Sequence, residues 1–279
     1  IASSLVGSEM CIRDRSNRSC GKFPLWQNKE MEPLTLLFLL MAVLFGSYIQ
    51  TVTGFAMGMI IVATVGGLGL LQLSVLAILV SLLTSVNSFL SLRGNWSRIE
   101  FRFFLFLALG QFPAIVFGIE LLNFLESNEV WILKVILGSF LVLGGLLSFI
   151  KPRPLKRLSG RLTVFLAGIL GGTLGGLFSA SGPVLGLFAY SQPMAVAQIR
   201  ATLLASFLFT TTARTAVVSF QGAINPEILT LFFLALPIVL LGTILGKKIP
   251  PPFSESTTRR FAFSIILMIG FWTVVETIL

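Results

Sequence analysis

Apolar runs of about twenty residues recur along this 279-residue chain and constrain its fold more than any motif does. A bilayer core about 30 Å thick is crossed by roughly 20 helical residues, and inside lipid every backbone amide must find its partner within the spanning structure. Charged residues make up only 11% of the sequence, against about 25% in a soluble domain. The chain therefore reads as an all-α polytopic membrane protein.

Breaks in hydropathy place apolar segments at 34–56, 58–71, 72–92, 101–119 and 130–150, and then at 162–180, 183–198, 199–220, 228–246 and 261–279. This divides the chain into a leader (1–30), a first transmembrane repeat (31–150), a basic linker (151–161) and a second repeat (162–279). The second segment of each set is too short for a straight helix to cross the core, so each half is expected to hold a broken or re-entrant helix.

The leader is polar and has no apolar core of signal-peptide length. Its stretch SLVGSEMCIRDR resembles translated sequencing-adapter read-through, so residues 1–30 are expected to be non-native or disordered, with the natural protein starting at Met31. Both cysteines, Cys11 and Cys20, and the single aspartate, Asp14, fall there, and the chain has no histidine. From Met31 onward there is no imidazole or thiol for a metal, cofactor or nucleophile–base pair, which argues against an enzyme. The net charge of +9 reports loop topology in a membrane chain rather than nucleic-acid binding.

One offset relates the two sets without a gap across most of their length. Moving 128 positions carries Gly54 onto Gly182, Gly58 onto Gly186, Thr84 onto Thr212, Gly94 onto Gly222 and Gly118 onto Gly246. Lys151, Arg153, Lys156, Arg157 and Arg161 place the linker inside by the positive-inside rule, and Arg93, Arg98 and Arg102 do the same for the loop before the fourth segment. The loop after that segment carries Glu120, Glu126 and Glu129 and is expected outside. The ninth segment ends at Lys247-Lys248, so it runs the opposite way from its partner. Two inverted repeats of about five segments each follow, with both ends of the membrane domain outside.

Each half carries a glycine-rich break, GSYIQTVTGFAMGM at 46–59 and GGTLGGLFSASGPVLG at 171–186. Paired interruptions at matching positions point to a transporter site near the bilayer midplane. The freed amides of Gly54, Phe55 and Gly182, with the hydroxyls of Thr51, Thr53, Ser179 and Ser181, are expected to face an anion at half-helix N-termini beside Pro183. In the second half the glycines before residue 177, Gly168, Gly171, Gly172 and Gly175, read instead as helix-packing surfaces. Asn87, Gln50 and Gln192 fit either a path lining or bonds between helices.

Arg214 stands deep in the eighth segment among Thr210, Thr211, Thr212 and Thr215, with no carboxylate at that depth. A charge there costs at least about 2.5–3.5 kcal/mol, which leaves two readings: the positive group for an anionic substrate, or an arginine that snorkels or holds carbonyls freed by the breaks. Arg200 and Lys134 read on position as interface anchors. With every glutamate from Met31 onward at or near a segment end, the simplest mechanism is export of an anion down the membrane potential, worth about 2.3 kcal/mol per charge at roughly 100 mV.

TGFAMG at 53–58, SGP at 181–183, IRATL at 199–203 and LGKKI at 245–249 resemble the sulfite exporter TauE/SafE family over residues 34–279. The resemblance implies a multi-pass protein of the bacterial inner membrane whose partners are the lipid bilayer and a small anion such as sulfite or an organosulfonate. It also raises Arg200 to a candidate binding residue, although a structural anchoring role fits the resemblance too. Ser179 and Ser181 stand where the family commonly has glycine, and Phe55-Ala56 departs from the commoner GFG. The competing reading is an anion channel, or a permease for another small solute.

Overall fold

Helices account for nearly all of the computed structural model, which describes residues 33–149, 155–249 and 255–278. The leader and residues 151–154 of the linker lie outside the described residues. Five helices precede the linker: α1 (Pro33–Thr53), α2 (Met57–Ile61), α3 (Leu73–Leu92), α4 (Phe101–Asn128) and α5 (Val130–Phe149). Five follow it: α6 (Arg161–Phe178), α7 (Gly182–Tyr190), α8 (Val196–Phe220), α9 (Pro226–Lys248) and α10 (Glu255–Ile278). Among the described residues, α1, α3, α4, α6, α8 and α9 are long and apolar enough to cross a membrane.

The two short helices are shorter than their apolar segments suggest. Helix α2 continues through one π-helical turn, Val62–Gly66, and α7 stops at Tyr190. At about 1.5 Å per residue each covers roughly half of a bilayer core.

Helix α4 extends past residue 119 to Asn128, so Glu120 and Glu126 lie on its last turns and not in a loop. The extension is held by its carboxylates. Glu126 Oε1 accepts from Ser74 N (3.3 Å), at the first turn of α3 where the amides lack helical acceptors. Glu120 Oε1 accepts from Gln221 Nε2 (2.8 Å), just past the end of α8.

Glycine contacts set the packing. Helix α4 runs alongside α6 in the same direction, with Gly110 against Phe165 and Ile169, and Gly118 against Thr173 and Gly176. Helix α1 runs alongside α9 in the same way, with Gly242 against Leu44 and Ser47, and Gly246 against Tyr48 and Thr51. A side chain at these positions would push into neighbouring backbone, which is how small residues let membrane helices approach closely. Gly168, Gly171 and Gly172 are also packing positions. Helices α3 and α8 pack antiparallel, since Ser85 bonds Thr211 while the earlier Ser81 meets the later Arg214. Helices α5 and α10 do likewise, with Gly138 against Val274 and Gly145 against Leu267.

Candidate functional site

Helix α1 ends because Gly54 takes φ +86° and Ala56 φ +104°, angles that reverse the chain before α2 begins. Thr53 Oγ1 sits within hydrogen-bond distance of Ile49 O (2.9 Å) and Phe55 O (2.7 Å). The amides expected to be free at this break are taken: Gly54 N donates to Gln50 O (2.7 Å) and Phe55 N to Thr53 Oγ1 (3.4 Å). Gln50 also secures the start of α2. Its Oε1 accepts from Met57 N (3.1 Å) while its Nε2 donates to Ser88 Oγ on α3 (3.0 Å). Thr51 is likewise committed to α3, through Ser91 Oγ (2.9 Å) and Asn87 Nδ2 (3.2 Å).

The second break is built differently. Ser179, at φ +54°, ends α6 and returns its N–H to Gly175 O (2.9 Å). Its hydroxyl donates to Ala77 O of α3 (2.8 Å) and meets the Ser81 hydroxyl. A left-handed serine costs more than a glycine, and these two bonds across to α3 offset the difference. Ser181 precedes α7, whose first turn carries Gly182 and Pro183; a proline there lacks only an amide that would have no helical partner. Gly144 of α5 packs over Pro183.

The two breaks touch. A Cβ on Gly182 would lie 3.4 Å from Ala56 N, and one on Gly58 would run into Ser179 O. The Phe55 ring covers Gly182 and Gly186, 3.1 Å from the Cβ position of the latter, and lies 6.1 Å from the Tyr190 ring. Tyr190 Oη donates to Thr53 O (2.9 Å). Arg200, in the second turn of α8, backs directly onto Gly54. The N-terminal ends of α2 and α7 thus abut inside the protein, with Thr53, Phe55, Ser181 and Gly182 all buried.

Arg214 is 1% exposed. Its Nε donates to Gly176 O (3.0 Å) and its Nη1 to Ser81 Oγ (3.2 Å), both neutral acceptors. Through Ser81 it is joined to Ser179. Thr211, one turn earlier, accepts from Ser85 Oγ (2.8 Å). Arg200 and Arg214 are therefore about 20 Å apart along α8 at roughly 1.5 Å per residue. The candidate residues form two groups that meet at the break contact: Thr53, Gly54, Phe55, Gly182 and Arg200 on one side, Ser179, Thr211 and Arg214 on the other.

Sequence reasoning passed over Ser81 and Tyr190, and it read Ala56 only as a departure from the commoner GFG, without its positive φ. The signal for Ser81 was a hydroxyl stripe along α3 at helical spacing, Ser81, Thr84, Ser88 and Ser91, of which Ser81, Ser88 and Ser91 bond to other helices. Ala56 carries no such signal, because nothing in an alanine announces a positive φ. Asn87 and Gln192 prove to tie backbone and helices together, Asn87 through Thr243 Oγ1 (2.8 Å) and Gln192 through Ser159 N (3.0 Å). Among the described residues no group of three or more His, Cys, Asp or Glu side chains is placed to hold a metal.

Membrane-length helices around two half-length helices that abut end to end define a multi-pass membrane protein with the layout of a transporter. The sequence model of the family Sulfite exporter TauE/SafE matches residues 38–273, and the chain belongs to that family. It is similar to a protein of Cupriavidus necator (strain H16) named a probable sulfite/organosulfonate exporter TauE. The two are 40% identical over 225 residues, which cover 81% of this chain and 88% of the relative. No solved structure matches the chain.

Proposed function

We propose that this protein exports sulfite, organosulfonates or closely related small anions across the bacterial inner membrane. The substrate is held where α2 and α7 meet, between Gly54-Phe55 and Ser181-Gly182-Pro183. The observation that carries this reading is the abutting of two helix N-termini, Ala56 against Gly182, with the buried Arg214 on one side of the contact and the half-buried Arg200 on the other. Helix N-termini concentrate positive potential, and in a dry site an added guanidinium gives an anion its complementary charge.

The two five-helix sets act as inverted repeats rocking about this contact. The constant offset supports the duplication, as do the positive φ of both Gly94 (+88°) and Gly222 (+69°) and the antiparallel pairing of the equivalent helices α3 and α8. Phe55, wedged over Gly182 and Gly186, closes the contact and must withdraw for an anion to pass. Membrane potential drives the outward step. At roughly 100 mV, inside negative, about 2.3 kcal/mol per charge sustains a gradient of about fifty-fold.

Flux into and out of proteoliposomes tests the reading with sulfite, sulfoacetate, thiosulfate and small carboxylates, comparing wild type with Arg214→Gln. Wild type is expected to move sulfite or a sulfonate saturably and in step with an imposed potential, and the variant to lose most of that flux while inserting normally. Movement of inorganic cations without anions overturns it. Normal transport of every anion by a well-inserted Arg214→Gln removes Arg214 from the substrate path.

A further inference from the structure

At the basic end of the bundle the structure holds a cavity of about 360 Å³. Helices α1, α3, α8 and α9 and the turn after α3 supply its walls, and its lining includes Arg98, Arg200, Lys247, Thr51, Ser91 and Asn95 with no acidic side chain. We propose that this cavity is a second anion site, distinct from the contact between the breaks, that captures a hydrated oxyanion from the cytoplasm and loads it toward Gly54. The proposal rests on the export reading above and adds the place where the substrate first binds.

The cations of this end are not spread along its surface as topology alone requires. The positive-inside rule asks only for basic residues near helix ends, and Arg93, Arg102 and Lys248 meet it outside the cavity lining. Arg98, Arg200 and Lys247 come from three separate parts of the chain and converge on one concavity. Lys247 is fixed there because its Nζ donates to Leu90 O (2.6 Å), with Arg93 O at 3.5 Å, at the C-terminal end of α3. That leaves a third N–H on the ammonium. Three cations around one cleft focus its potential and raise the local anion concentration.

Arg200 connects the cavity to the break. It lines the cavity and also lies against Gly54, where a Cβ would stand 2.9 Å from its Cγ. An anion drawn to the Arg200 side of the cavity is therefore one residue's width from the unwound backbone of the first break. The volume lies within the range of small-molecule sites, about 300–1,000 Å³. It suits a tetrahedral or pyramidal oxyanion that keeps part of its water, whereas the contact between the breaks is dry.

Arg98 is the residue to test, since it is exposed, ends a short 3-10 turn and can be changed without opening the core. Binding of inorganic sulfite to the purified protein by calorimetry and sulfite flux in oriented proteoliposomes are compared for wild type, Arg98→Gln and Arg98→Lys. Arg98→Gln is expected to raise KM about threefold to tenfold for sulfite presented at the basic face only, with the effect shrinking in high salt as charge screening requires, and Arg98→Lys is expected to restore it. An unchanged KM at both faces, with wild-type flux intact, overturns the cavity and leaves the export reading standing. An equal rise at both faces overturns the loading role. If wild type binds sulfite but moves none, and Arg98→Gln weakens that binding, the cavity stands and the export reading falls. Absence of both binding and flux in wild type overturns both.

Discussion

Gly54 and Arg200 lie against one another: at φ +86° the Gly54 backbone turns so that a Cβ would stand 2.9 Å from Arg200 Cγ and 3.1 Å from its Cα. The closeness joins the first break to the second turn of α8, elements from opposite halves of the chain. It also explains why a glycine is required there on two counts, backbone angle and space.

Gly54→Ala is therefore expected to be costly. The left-handed angle alone is worth about 1–2 kcal/mol against any residue with a Cβ, and displacement of Arg200 adds to it. Thermal unfolding in detergent should show a clear loss of stability, and sulfite flux should fall further than stability does, because the arginine moves as well.

Arg214→Gln is expected to separate stability from transport. The variant loses donors to Gly176 O and Ser81 Oγ, charged bonds worth about 1.5–3 kcal/mol each, but it also removes a buried charge whose desolvation is unfavourable by a comparable amount. The two effects largely offset, so the melting temperature should change little while flux falls more than about tenfold, the loss of one charged contact. A large drop in melting temperature with flux reduced only in proportion would make Arg214 a structural residue.

Ser179 supplies a paired test. Ser179→Gly relieves the positive φ of +54° while losing the bonds to Ala77 O and Ser81, and should lie within about 1 kcal/mol of wild type. Ser179→Val keeps the strain, adds a β-branch and removes both bonds, and should cost more than about 2 kcal/mol. Chemical denaturation or thermal melts of the two variants side by side check the order.

The α4–α6 seam should tolerate no side chain where α6's entrance does. Gly118→Leu would place atoms against Thr173 O, Gly176 and Leu177, all backbone, whereas the Cβ of Gly160→Ala would meet nothing within 4 Å. The first is expected to abolish stable insertion and the second to fall within about 1 kcal/mol of wild type. Yield of monodisperse protein after membrane extraction distinguishes them.

Much of this architecture was legible in the residues. Runs of about twenty apolar positions force helices across lipid because unsatisfied amides are intolerable there, so ten segments and their order could be read directly, as could the interruption around Gly54 and Gly182. Boundaries were less visible where polarity and structure part company: α4 runs on through Glu120 and Glu126 because those carboxylates bond Gln221 and the start of α3. The family, too, was legible, since short motifs keep their order and spacing along the chain.

Contacts between the halves were not. One sequence cannot say that Phe55 lies over Gly186, that Arg200 backs onto Gly54 or that Arg214 reaches Ser81, since each pairs residues more than a hundred positions apart whose meeting depends on how the helices rotate and stack. Composition and periodicity alone made this chain a helical membrane protein with two interrupted segments and an arginine deep in the eighth one. Tertiary packing decided that the interruptions touch, that the Gly54 and Phe55 amides are already bonded, and that the two candidate arginines stand on opposite sides of the contact, because side-chain partners are chosen by neighbouring helices and not by local sequence.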